Sequence, residues 1–303
     1  MSEYRPRREP RIETLTIRGL DHRVTRWGPG TSDPVVLLHG FLDCGATWQF
    51  LADALPDCWD LAAPDWRGFG GSAWAPGGYW FPDYLADLDA LLDLLTPAGA
   101  ARVVAHSMGG NIAALYAGVR AARLAWLVNL EGVGLPPTKP ADAPARYRRW
   151  LDELRGPPRA ATFDSVEELA QRLLRRSPRL GVERARFVAR SWTQPAADGR
   201  VALAADPKHR WANPILYRRE ESEACWREVR APMLLVLGDE SELRMRAGDA
   251  GWADYYRSLL PDLETVSLPD AGHMMHHEAP ASVAALIVGF SERQPSRGPA
   301  AKD

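Results

Sequence analysis

The chain has 303 residues, 46% of them hydrophobic, with 37 Lys and Arg against 39 Asp and Glu for a formal net charge of −2. That is enough chain for one large α/β domain with a sizeable insertion, and the near-neutral balance gives no global drive toward nucleic acid or an anionic membrane. No stretch reaches the roughly 18 apolar residues of a membrane span, and the charged, proline-containing N-terminus lacks the apolar centre of a secretory signal, so a cytoplasmic protein is expected.

Arg5, Arg7, Arg8 and Arg11 open the chain as a basic tail, read as a solvated end. Arg11 to Arg18 and His22 to Trp27 alternate polar and apolar residues around Gly19, as the strands of an antiparallel edge hairpin do. Val35 to Leu38 is continuously apolar, the pattern of a strand covered on both faces. Similar runs recur at Leu61 to Ala63, Arg102 to Ala105, Leu124 to Leu130 and Met233 to Leu237, with helical patterns between them. Leu263 to Leu268 supplies a last strand and Ala281 to Phe290 a closing helix. This alternation specifies an α/β fold with a mainly parallel, doubly wound sheet.

Between Leu135 and Glu228 the alternation stops. Pro136, Pro137, Pro140 and Pro144 introduce helix-spaced apolar residues at Tyr147 to Leu154, Val166 to Arg175 and Val182 to Trp192, and no strand is expected there. The reading is a discontinuous core of residues 1–134 and 229–303 with a helical cap inserted at 135–228. Trp150, Trp192, Trp211 and Trp226 crowd this region, where they either line an apolar pocket or pack the cap on the core. Residues from Gln294 to Asp303 are polar and are expected to be disordered.

The run from Val103 to Ala113 places Ser107 in the turn between an apolar strand and a helix, flanked by the small residues Ala105 and Gly109. A serine hydroxyl needs a base, an acid and oxyanion donors to act as a nucleophile. His273, in the loop between the last strand and the last helix, shares the carboxyl edge of the sheet with Ser107. His276 and His277 follow it as structural or pocket-rim residues. His39-Gly40-Phe41 ends the Val35 to Leu38 strand, and the backbone N–H groups of Phe41 and Met108 are the expected oxyanion donors. The cysteines, Cys44, Cys58 and Cys225, show no disulfide or zinc spacing and are read as free thiols; Cys44 lies near the oxyanion loop, where a reactive thiol would need an electropositive, exposed setting.

On His39-Gly40-Phe41, Asp65-Trp66-Arg67-Gly68-Phe69-Gly70-Gly71-Ser72, His106-Ser107-Met108-Gly109-Gly110 and Gly272-His273 with Glu278 and Pro280, the chain resembles an α/β-hydrolase with a helical cap, similar to esterases, lipases and serine hydrolase-like proteins, over nearly its whole length. The resemblance implies an eight-stranded sheet and makes the Asp65–Arg67 segment a structural loop. It also implies a catalytic acid three residues beyond Gly238, where this chain has Ser241. Two replacements are available. Glu131, at the end of Leu124 to Leu130, is preferred, as in haloalkane dehalogenases, and the alternative is Asp239 or Glu240 in the loop that holds Ser241, with Asp239 the favoured of the two. His39, His106, Trp211 and Tyr217 are candidate pocket residues.

Serine rather than aspartate at the nucleophile position favours acyl transfer, so the expected activity is hydrolysis of a carboxylic ester through an acyl-enzyme on Ser107, with no cofactor and no metal. The partner is a small acyl substrate. The alternatives are a non-catalytic ligand-binding homologue, for which the missing carboxylate at Ser241 argues, and a cofactor-free perhydrolase or C–C hydrolase.

Overall fold

The computed structural model describes residues 3–243, 252–260 and 262–294. The chain enters through a hairpin of β1 (Arg11–Ile17) and β2 (Leu20–Trp27), followed by β3 (Val35–Leu38), α1 (Gln49–Ala54), β4 (Leu61–Pro64), α2 (Phe81–Leu95), β5 (Ala101–His106), α3 (Met108–Val119) and β6 (Leu124–Leu130). It then leaves the sheet for an insertion containing α4 (Ala143–Glu153), β7 (Thr162–Phe163), α5 (Val166–Arg176), α6 (Val182–Ser191), β8 (Thr193–Pro195), β9 (Val201–Leu203) and α7 (Arg219–Arg227). It returns through β10 (Met233–Gly238), α8 (Trp252–Leu259), β11 (Leu263–Leu268), the single turn α9 (Met275–Glu278) and α10 (Pro280–Glu292).

Eight strands form one sheet in the order β1-β2-β4-β3-β5-β6-β10-β11. Pairing is antiparallel at β1–β2 and β2–β4 and parallel from β4 to β11. This is the α/β-hydrolase fold read from the sequence, and the strand residues show why their runs are continuously apolar. Successive side chains point to opposite faces, and both faces are covered. Val36, Leu38 and Val103 pack with Leu88, Leu92 and Ile112 of α2 and α3. Val35, Leu37 and Val104 pack with Leu51 of α1 and Ile287 and Phe290 of α10.

The expectation that residues 135–228 hold no strand is corrected. Besides helices the insertion holds a small antiparallel sheet in the order β7-β9-β8. Its strands have two or three residues each, too few to display an alternating pattern. The insertion also grips the core: Asp206 N–H donates to Gly68 O at 2.8 Å and Gly70 N–H to Ala204 O at 2.7 Å. Its last helix, α7, lies directly against α3, where a Cβ on Gly118 would fall 1.8 Å from Cys225 O. Trp226 accordingly joins the main core and is 3% exposed.

The basic N-terminus is a second correction. Arg8 is buried, and its guanidinium donates to Ala52 O at 3.1 Å, Pro56 O at 3.3 Å and Trp59 O at 2.6 Å. Arg7 Nε donates to Asp53 O at 2.8 Å. The tail straps the end of α1 instead of dangling in solvent, because that short helix leaves carbonyls without intrahelical donors and guanidinium groups supply them. The expectation of a disordered C-terminal tail falls mainly on residues 295–303, which lie outside the described residues.

Arg8→Ala should lower the unfolding free energy by about 2 kcal/mol, since it strands buried acceptors, whereas exposed Arg5→Ala should stay within about 0.5 kcal/mol. Urea denaturation of both variants checks this; equal effects would contradict a structural strap.

Candidate active site

The parallel pairing of β5 with β6 sets His106 opposite Leu130. One residue further on, the two strand ends present Ser107 and Glu131 side by side. Both adopt left-handed backbone, with φ of 50° at Ser107 and 59° at Glu131, a conformation unusual for side chains other than glycine and concentrated at functional sites. Ser107 N–H donates to Leu130 O at 2.8 Å, and Ser107 O accepts from Asn111 N at 2.9 Å as α3 begins. Gly109 makes the tight entry into α3 sterically available, for a Cβ there would sit 2.4 Å from Leu38 O and 2.7 Å from His39 O.

His273 lies in the loop after β11, with Nε2 3.1 Å from Ser107 Oγ and Nδ1 2.6 Å from Glu131 Oε2. An Nδ1–H donated to the carboxylate leaves Nε2 free to accept the serine proton. Glu131 is only 1% exposed, and burial of its charge is compensated by donors on both oxygens. Gly238 N–H donates to Oε1 at 2.8 Å, while Ser241 Oγ donates to Oε2 at 2.6 Å. The serine at the position where the resemblance implies a carboxylate therefore hydrogen-bonds the Glu131 carboxylate. Asp239 is turned toward the Ser267 hydroxyl. The structure brings Glu131, not Asp239, to the imidazole.

Two other expectations are corrected. His39 and His106 do not line a pocket. His39 is fully buried, donating from Nδ1 to Gly40 O at 2.8 Å and accepting at Nε2 from Trp66 N at 2.9 Å. His106 is 1% exposed and donates from Nε2 to His273 O at 2.8 Å, so it fixes the backbone of the loop carrying the imidazole. Burial pushes both below the ordinary imidazole range, the His106 shift being the larger, and leaves both rings uncharged near neutrality. Tyr217 does not line the cleft; its hydroxyl lies beside Gly134, 3.0 Å from where a Cβ there would sit.

Behind the site, Asp43 collects the groups that hold the insertion on the core. Its Oδ1 accepts from Trp192 Nε1 at 2.7 Å, Thr47 Oγ1 at 2.6 Å and Cys44 N at 2.8 Å. Its Oδ2 faces His276 Nε2 at 3.3 Å and His277 Nε2 at 3.6 Å. Burial opposes ionisation of Asp43, but the two imidazoles outweigh it and hold the carboxyl below its usual range. Among the described residues, Asp43, His276 and His277 are the one group whose donor types and proximity could suit a metal ion. Asp43 Oδ1 is engaged by three hydrogen bonds, while the buried His277 Nε2 has no hydrogen-bond partner. Neighbouring Cys44 is buried and its thiol is pushed well up by burial and the adjacent carboxylates, the reverse of the electropositive setting that a reactive thiol requires.

An aromatic cleft opens beside Phe41 and Met108, between the core and the insertion. Tyr79, Trp80, Phe81 and Tyr84 supply the core wall, and Trp150, Leu154, His209 and Trp211 the opposite one. Trp211 was legible in the sequence. The core-side aromatics were not singled out, although the dense Tyr79-Trp80-Phe81 run ahead of Pro82 was the available signal.

A family model described as the α/β hydrolase fold matches residues 33–280. The chain belongs to this family. As an α/β hydrolase it is 26% identical over 276 residues to a serine hydrolase-like protein of Danio rerio, covering 88% of this chain and 84% of that protein. It is 28% identical over 293 residues to a cis-3-alkyl-4-alkyloxetan-2-one decarboxylase of Xanthomonas campestris pv. campestris, covering 88% and 91% of the two chains. Among solved structures, the thioesterase domain from the curacin biosynthetic pathway superposes with a TM-score of 0.82 at 26% identity, covering 93% of this chain and 99% of that one. No helix among the described residues is long and apolar enough to cross a membrane.

Burial pushes His277 down to about 3, and His106 moves in the same direction. The unfolded chain therefore binds more protons than the folded one from the ordinary imidazole value of about 6.5 downward, so stability is full above that pH and declines below it. Denaturation midpoints should fall from about pH 7 to pH 5, before most carboxylates titrate; a flat profile across that interval would show that these rings are not held neutral.

Proposed function

We propose that the chain is a serine hydrolase that cleaves a carboxylic ester through an acyl-enzyme on Ser107, with His273 as base and Glu131 as acid. The observation that carries this reading is the continuous chain Glu131–His273–Ser107, with contacts of 2.6 and 3.1 Å. His273 Nε2 takes the proton as Ser107 Oγ attacks the carbonyl carbon, and Glu131 stabilises the imidazolium. The tetrahedral oxyanion is held by the N–H groups of Phe41 and Met108. Met108 opens α3, so its amide lacks an intrahelical acceptor and carries the positive end of the helix dipole. Collapse expels the alcohol, which receives the proton from His273. Water, deprotonated by the same imidazole, then releases the acid.

Residues 135–228 act as the cap in this reading, with α7 as its anchor on the core. In this reading Glu131 supplies the carboxylate that position 241 lacks, and its 2.6 Å contact with His273 supports a working triad over a non-catalytic homologue. A thioester, the bond named for the curacin relative, would use the same groups.

A fluorophosphonate probe should label the wild type stoichiometrically by intact mass and should not label folded Ser107→Ala. An unlabelled, folded wild type would sink the assignment. Glu131→Gln should reduce kcat by about three orders of magnitude, whereas Asp239→Asn should leave it within about threefold. Collapse in Asp239→Asn alone would transfer the acid to the β10 loop. Because Ser241 Oγ already sits 2.6 Å from Glu131 Oε2, Ser241→Asp combined with Glu131→Gln should recover at least about tenfold of the lost activity; no recovery would mean that position 241 cannot present a carboxylate to His273.

A further inference from the structure

The aromatic cleft carries an inference about what the hydrolase accepts, and it rests on the reading of Ser107 as nucleophile. Phe41 and Met108, whose amides flank the reacting carbonyl in that reading, also form part of the cleft wall. A group attached near the carbonyl therefore passes directly into it. The cavity measures about 170 Å³, comparable to the apolar cavity of about 150 Å³ that holds one benzene in another protein.

The wall has aromatic bodies, and the polar heads of three of them are already engaged. Tyr84 O–H donates to His209 Nδ1 at 3.2 Å, and His209 Nε2–H donates to Gly68 O at 3.1 Å. Tyr79 O–H donates to Asp206 Oδ2 at 2.8 Å and accepts from Ala75 N at 3.1 Å. His209 stacks on Phe69 at 3.8 Å with an interplanar angle of 9°, and burial pushes it down to about 3, so the ring is uncharged near neutrality. Lys208 is the one charged side chain of the lining, and its ammonium is drawn to Pro76 O at the exposed side, 3.1 Å away. Across the cleft, Trp80 and Trp150 face each other edge to face at 6.4 Å.

We propose that this cleft is the specificity site of the hydrolase and that it takes an uncharged hydrophobic group of about one ring, such as a phenyl or short branched alkyl group, and rejects acyl groups bearing a carboxylate. A ring gains apolar burial and edge contacts against the indoles. A carboxylate would lose its water and find no buried cation.

The test is a pH-stat comparison of ethyl 3-phenylpropanoate with monoethyl succinate on the wild type, Trp211→Ala, Trp150→Ala, Trp150→Phe and Lys208→Ala. The neutral ester should be preferred in kcat/KM by at least about tenfold. Trp211→Ala and Trp150→Ala should each erode that preference through KM, Trp150→Phe should restore most of it, and Lys208→Ala, which removes the one cation of the lining, should not lower it. Fluorophosphonate labelling of every variant separates failure of the cleft from failure of the nucleophile. Labelled enzyme that favours the succinate ester, or whose preference ignores both tryptophans, overturns the proposal while the hydrolase reading stands. If the wild type is not labelled, binding of both esters to Ser107→Ala by tryptophan quenching decides the cleft alone: tighter binding of the phenyl ester upholds it and equal binding overturns it.

Discussion

The register of three adjacent parallel strands is the constraint on which the site depends. Leu130 on β6 pairs with His106 on β5 and with Val236 on β10. Ser107 and Glu131 follow the paired positions by one residue, and Gly238 at the end of β10 hydrogen-bonds the glutamate. A slip of one residue would turn each side chain to the opposite face of the sheet. The hydrogen bonds at the strand ends, Ser107 N–H to Leu130 O and Glu131 N–H to Val236 O, hold this register and so set the distance from carboxylate to imidazole. Packing of the core and geometry of the site are consequences of one register.

Backbone strain gathers at the same edge. Among the described residues, five non-glycine residues have positive φ: Arg18, Leu42, Ser107, Glu131 and Asp270. Arg18 turns the β1–β2 hairpin, whereas the other four lie in segments that follow strands at the site. Each costs about 1–3 kcal/mol in isolation. Surrounding hydrogen bonds hold them, including Ser107 N to Leu130 O, Glu131 N to Val236 O and His106 Nε2 to His273 O. Asp43 extends this support to the insertion through Trp192, so the polar cluster joins the two parts of the chain immediately behind the imidazole loop.

The sheet was legible because doubly covered strands write themselves as short continuous apolar runs, and Ser107 and His273 because a turn after a strand leaves a local mark in sequence. Glu131 could be inferred from a carboxylate closing an apolar strand once Ser241 was seen to lack one. What escaped were contacts set by distance in the chain. Nothing adjacent to Arg8 announces carbonyls at 52, 56 and 59, and nothing near Asp43 announces imidazoles more than two hundred residues later. His39 and His106 were placed at the right edge but facing the wrong way, since a strand-end position fixes where a side chain starts and not which hydrogen bond claims it. Strands as short as β7 and β8 are specified by their partners and carry no periodicity of their own.

The contact between Ser241 and Glu131 makes positions 131 and 241 neighbouring addresses for one negative charge. An aspartate at 241 beside glutamate at 131 would hold two carboxylates against one imidazole, where like charge keeps one of them protonated. With a hydroxyl at 241, the imidazole faces a single carboxylate, and the second position serves it as a hydrogen-bond donor instead of competing with it.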